Sequence, residues 1–165
     1  MPGYRAPCRK SLLWRSENGR RSWSAPVDGD WFTHHVTSRE QVLTPIFLWS
    51  DVGLDDSPTL LAVGSHLGVA RLLAEHEPEG VSGTRIGQVV DSTVARQEVA
   101  AATGEAGDLI VCHPFLAHTI NPTGPTGPRF ISNVAVHGTQ SLDVDPMKQA
   151  RSPVEAAIRQ ALSPR

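Results

Sequence analysis

The chain has 165 residues, a formal net charge of −2 and a charged fraction of 19%. That length accommodates one domain with a sizeable core and not two. The near balance of charge argues against a nucleic-acid surface or an acidic tail, and no apolar run approaches the ~20 residues that cross a membrane.

Thirteen prolines and fourteen glycines scattered among short apolar runs predict a β-rich fold with many turns rather than a helical bundle. The two cysteines, Cys8 and Cys112, stand far apart without a CxxC pair. They indicate neither a disulfide framework nor a zinc knuckle, so a reducing, cytoplasmic setting is expected.

Residues 1–25 differ in character from the rest of the chain. They hold six of the fifteen basic residues, one acid (Glu17), and no apolar periodicity. A disordered or misassigned start is the expectation, and no function is assigned to it. From Val27 the sequence mixes acids, aromatics and histidines through Val36. Val42 to Val52 is apolar on both faces and predicts a central buried strand, with Pro45 near its beginning where a missing N–H is tolerated. Asp51 to Pro58 reads as a turn, and Thr59 to Val63 as a second strand ending in Gly64-Ser65-His66. Val69, Leu72, Leu73 and His76 are spaced for one face of a short helix closed by Pro78 and Gly80. Val81 to Gly87 reads as loop, with strands over Gln88–Val90 and Val94–Ala102.

A Gly107-Asp108 turn then opens the apolar run Leu109 to His118, in which Cys112 reads as a small core residue. The Pro/Gly-rich loop Asn121 to Pro128 comes next, and a strand over Arg129–His137 begins at once. Two strands around such a loop predict an antiparallel hairpin, which sets His118 and Arg129 close together although they are eleven apart in sequence. An imidazole holds a metal and a guanidinium holds a carboxylate in two-pronged fashion. Taken singly, His118 also suits a buried hydrogen-bonded histidine, and Arg129 a surface ion pair. Finally, Ser152-Pro153-Val154-Glu155 is a capping box that starts an amphipathic helix to Leu162, expected on the outside of the sheet. No repeat or linker divides residues 26–165, which read as one domain with a C-terminal helix.

Taken together and in order, Asp28-Gly29-Asp30-Trp31-Phe32, Leu48-Trp49-Ser50-Asp51, Gly64-Ser65-His66, Gly107-Asp108, His118 and Arg129 resemble the phytanoyl-CoA dioxygenase family. Its members are iron(II)- and 2-oxoglutarate-dependent oxygenases built on a double-stranded β-helix (jelly-roll, cupin-like) barrel. The likeness runs from about Val27 to Leu162. It implies an all-β fold with flanking helices, here an incomplete barrel. It also implies Fe(II) as metal, 2-oxoglutarate as cosubstrate, and O2 and a small organic molecule as the other reactants. In the family an H-x-D pair and a distant histidine form the facial triad, and residues i and i+2 of a strand share a face. Carried over, Asp28 is the carboxylate ligand and His118 the distal histidine. Arg129 binds the far carboxylate of 2-oxoglutarate, and Thr59 and Trp49 line its pocket, Trp49 having core packing as its other role.

One departure matters. The first ligand position, two before Asp28, is Pro26, which cannot bind a metal. A straight strand puts His34 about 20 Å from Asp28 and turns His35 the other way, so only a bend brings either back. His113 lies at an odd offset from His118 and faces oppositely. The segment that usually precedes H-x-D in the family is also missing, which suggests a truncated start. The implied activity is therefore hydroxylation of a small organic substrate, impaired by the lost ligand. Its rivals are a non-catalytic barrel that binds a carboxylated metabolite and a hydrolytic zinc site. The sequence does not fix the substrate or the oligomeric state.

Overall fold

The computed structural model describes residues 27–29, 31–94, 98–121 and 128–164. In chain order these form β1 (Thr33–His34), β2 (Thr44–Leu48), β3 (Thr59–Ala62), α1 (Ser65–Glu75), β4 (Val81–Ser82), α2 (Gly83–Val94), β5 (Val99–Ala101), β6 (Leu109–Cys112), β7 (His118–Ile120), β8 (Ile131–Asn133) and α3 (Pro153–Leu162). The strands make three antiparallel sheets, ordered β6-β2-β8, β5-β3-β7 and the pair β1-β4.

Strand alternation fixes what each sheet faces. Ile46 of β2 pairs with Ile110 of β6, Thr44 with Cys112, and Leu48 with Ile131 of β8. Ile46, Leu48 and Cys112 are buried together with Val52 and Ala102, and Leu61, Ile110, Leu116 and Ile131 pack on them. Leu61 belongs to β3, where it lies opposite His118 of β7. The sheets β6-β2-β8 and β5-β3-β7 therefore face each other across this smaller core. The reverse side of β5-β3-β7, with Leu60, Ala62, Val99 and Ala101, carries the larger core and the helices.

Each helix contributes an apolar stripe to that larger core: Val69, Ala70 and Leu73 from α1, Ile86 and Val90 from α2, and Val154, Ile158 and Ala161 from α3. Full burial of one such side chain stabilises by about 1.5–3 kcal/mol. α1 starts a turn earlier than its apolar spacing alone indicates, after Gly64 at φ +84°. It stops at His76 as expected, and Gly80 at φ +71° donates its N–H back to the His76 carbonyl at 2.8 Å. The Ser152 half of the capping box forms, its Oγ accepting from Glu155 N at 3.2 Å, while the Glu155 carboxylate takes the Arg151 N–H at 2.6 Å and the Asp143 N–H at 2.8 Å. α3 packs against α1, with Arg71 Nε donating to the Ala161 carbonyl at 2.9 Å.

Three expectations change. The segment read as loop and strand over residues 81–90 is β4 followed by α2, because Ile86 and Val90, four apart, bury on one side of a helix. The predicted hairpin is absent. The run from Leu109 is broken by the turn at His113–Leu116, closed by Leu116 N to His113 O at 2.9 Å. β6 therefore stays on β2, β7 joins β3, and β8 returns to β2. Among the described residues the sheets do not close into a barrel, so the architecture is β-rich, three antiparallel sheets with three helices. The atypical start and Pro26 lie outside the described residues. Among those described, no helix is long and apolar enough to cross a membrane.

Candidate functional site

Asp28 stands at a bend that only glycine permits. Gly29 has φ +110°, and a Cβ there would lie 2.3 Å from the Phe32 ring and 2.9 Å from the His34 ring. The Phe32 N–H and the His34 Nε2–H both converge on the Gly29 carbonyl, at 3.3 and 3.0 Å. This bend carries His34 back beside Gly29, far closer than a straight strand allows. His34 Nε2 is committed to that carbonyl, while His35 turns to Glu77 Oε2 at 3.0 Å.

His118 opens β7 on the face that looks toward β6-β2-β8, and is 8% exposed. Its Nδ1 lies 3.0 Å from the Leu116 carbonyl. A carbonyl only accepts, so Nδ1 carries the proton and Nε2 is left for a second partner. That partner is Asp28, with Nε2 and Oδ1 3.3 Å apart. Burial disfavours the imidazolium, but the hydrogen bond and charge of Asp28, with the Leu116 carbonyl, outweigh it and raise the pKa of His118. The same hydrogen bond lowers the pKa of Asp28 against the opposing effect of burial. Across the gap, burial and then the charge of Asp28 push the Cys112 thiol up to about 11. The carboxylate thus stands between the two sheets, His118 on one and Cys112 on the other. Cys112 is a small core residue as expected, at 5% exposure, but its nearness to Asp28 has no sequence signal.

Arg129 lies just outside β8, two residues before Ile131. The pairing with the β2 side runs one residue beyond the strand, Trp49 N donating to Phe130 O at 2.8 Å, and Phe130 N then turns to the Ser50 hydroxyl at 3.0 Å. Arg129 Nη1 is buried and has no hydrogen-bond partner among the described residues. An unsatisfied buried donor costs about 1–3 kcal/mol, which a bound carboxylate relieves. Thr59, 4% exposed, pairs with Ile120 and so shares the face of Leu61 and His118.

Trp49 does not join them. Leu48 points inward, so its neighbour points out. Trp49 is 65% exposed, stacks on Phe47 at 5.8 Å and donates Nε1–H to Ser132 Oγ at 3.0 Å. Neither core packing nor a place beside His118 is its role. His113 lies beside α1, with its ring 4.9 Å from that of His66; the turn at His113–Leu116 and not a strand offset sets its direction. Gln41 has no counterpart among the residues singled out from the sequence. It is 3% exposed and donates Nε2–H to Thr44 Oγ1 at 2.6 Å, next to Cys112 in the register. A lone glutamine before a strand carries no signal.

Chemically, one carboxylate oxygen and one imidazole nitrogen converge between two sheets, and Arg129, just before β8, carries a buried donor without a partner among the described residues. Among the described residues no group of three or more His, Cys, Asp or Glu could hold a metal ion. No protein-family model matches the chain, and no curated protein matches it.

Proposed function

We propose that the chain is an Fe(II)- and 2-oxoglutarate-dependent dioxygenase of the phytanoyl-CoA dioxygenase type, acting on a small organic substrate. The observation that carries this reading is the 3.3 Å approach of Asp28 Oδ1 to His118 Nε2, two residues 90 apart in sequence, in the space between two sheets. The strand winding supports the barrel type: β2 to β3, β5 to β6, β6 to β7 and β7 to β8 each pass from one sheet to the other. That alternation is how a double-stranded β-helix winds.

The donor set fits the metal in part. Nitrogen and carboxylate oxygen suit iron, but a facial triad asks for two histidines and one carboxylate, and only Asp28 and His118 converge among the described residues. Iron affinity is accordingly lower than a full triad gives. When bound, iron supplies O2 activation coupled to oxidative decarboxylation of the 2-oxo acid. The chain does the rest. The Leu116 carbonyl fixes the tautomer and aim of His118. Arg129 receives the far carboxylate of the cosubstrate and orients it. Ile120, on the His118 face and 70% exposed, gives the substrate an apolar wall.

The count of two converging ligands favours a second reading, a non-catalytic barrel that binds a carboxylated metabolite through Arg129. Anaerobic titration with Fe(II) and 2-oxoglutarate separates them. The first reading expects the visible charge-transfer band of the ternary complex, and iron-dependent succinate release in air, both lost in Asp28→Ala. The second expects 2-oxoglutarate binding without iron, lost in Arg129→Ala and retained in Asp28→Ala. Absence of any 2-oxoglutarate binding sinks both.

A further inference from the structure

Among the described residues, most of one face of the sheet β6-β2-β8 is open, although Pro45 on it is buried and Phe47 half-buried. Ile46 and Leu48 fill the core between the sheets, so the alternate row points the other way. Phe47 lies opposite Leu109 on one side and Ser132 on the other, and Pro45 opposite Val111. The row continues through Trp49 and Phe130, joined by the Trp49 N to Phe130 O bond, and to Val134. Trp49 is 65% exposed, Phe130 62%, Val111 57%, Leu109 50% and Val134 49%. These are five of the largest open apolar side chains, and register gathers them on one surface.

We propose that this face pairs with the same face of a second copy of the chain in a two-fold dimer. Charge argues for self-pairing. The open positions Trp49, Leu109, Val111, Phe130 and Val134, with Phe47 and Ser132 between them, are all uncharged. A two-fold axis sets a patch against itself, so a patch of one sign would repel its copy, and these positions carry no charge. Area argues the same way. With aromatic side chains offering ~150–250 Å² each, half-open residues in this number present on the order of 500 Å². Two copies face to face then bury on the order of 1,000 Å², the size at which a specific interface begins to hold. Sheets pack face to face readily, about 10 Å apart. The outer edges of β6 and β8 have no strand partner among the described residues, and neither strand carries a lysine that guards such an edge.

Sedimentation equilibrium of the full chain over a concentration series tests this. The expected result is a monomer–dimer equilibrium in which Trp49→Glu and, separately, Val111→Glu weaken self-association at least ~30-fold, the scale of losing an interface anchor. Met147→Glu, at a side chain 90% exposed and outside this sheet, leaves it unchanged. Unfolding midpoints measured beside each variant separate a lost interface from a lost fold, and the two variants sit on different strands. A full chain that stays monomeric at every concentration overturns the proposal and assigns the face to another occupant, residues 1–26 or a different protein. A dimer that survives both substitutions overturns it as well.

Discussion

At the Asp28–His118 pair, stability and ionisation are linked, and the sign differs for the two partners. The folded pKa of His118 is raised, so its contribution is complete below its unfolded value, about 6.5, and is lost as pH climbs through the raised one. The folded pKa of Asp28 is lowered, so its share is present above about pH 4 and is lost as pH falls. The ion pair therefore stabilises most between about pH 4 and about 6.5, and its share declines from there through the raised value of His118. Asp28 is 41% exposed, and screening holds the pair to about 0.5–1 kcal/mol. Asp28→Asn should cost about that much at pH 5.5 and less at pH 9, read from urea unfolding at the two values; an equal cost at both pH values contradicts the linkage. Nothing in the spacing of Asp28 and His118 joins them; only the family resemblance did. Val42 to Val52 is apolar on both faces, so alternation could not say which row of β2 turns inward, and the outward turn of Trp49 was not legible. The return of His34 was not legible, because it depends on a left-handed glycine whose φ no neighbouring residue announces.

Among the elements, the turn His113–Leu116 and the start of α3 carry most of the architecture near the sheet ends. The Phe115 N–H donates to His113 Nδ1 at 3.1 Å, so that nitrogen must be bare. Burial, and then the charge of His66, push the pKa of His113 down to about 4, with the Val154 carbonyl working the other way. Here the unfolded chain binds the proton first, so stability falls as pH drops from about 6.5 to about 4, by about 2–3 kcal/mol for this residue. Protonating Nδ1 also ends the bond that shapes the turn. His113→Asn should flatten the loss of stability between pH 7 and pH 4.5, and unchanged pH dependence in the variant would assign the titration to another group. At α3, Glu155 is 2% exposed. Burial works to raise its pKa, yet Arg151 and the backbone N–H groups of Asp143 and Arg151 hold it lowered. Its carboxylate accepts from Asp143 N at 2.8 Å and Arg151 N at 2.6 Å, besides the Arg151 side chain. Glu155→Ala orphans those donors and should cost about 2 kcal/mol or more, whereas removing the simple cap in Ser152→Ala should cost about 1 kcal/mol, both read from chemical unfolding. The cap was legible because Ser-Pro-x-Glu is a local chemical device. α2 was not, because its β-branched residues speak for a strand and only the Ile86–Val90 spacing speaks for the helix that packing selects.

For the molecule as a whole, the chain's path between sheets decides what the site is. Local patterns give strands but not the sheet each one joins, so a Gly/Pro loop between two apolar runs reads as a hairpin when the runs belong to opposite sheets. The consequence is that His118 and Arg129 are set by how two sheets stack, not by a turn. The small core between those sheets then controls the site, while the larger core under the helices controls only stability. Leu48, 1% exposed, lies in the first, and Leu73, fully buried, lies in the second. Leu48→Ala and Leu73→Ala should each cost about 3 kcal/mol through the cavity they leave. They should differ in what else they change. Leu48 pairs with Ile131, two residues from Arg129, so under the proposed function its loss should loosen 2-oxoglutarate binding several-fold at temperatures where the variant is fully folded. Leu73→Ala at matched stability should leave that affinity where it was. Titration calorimetry beside unfolding curves reads both quantities, and equal effects of the two substitutions on binding would mean that the sheet-to-sheet gap does not set the site.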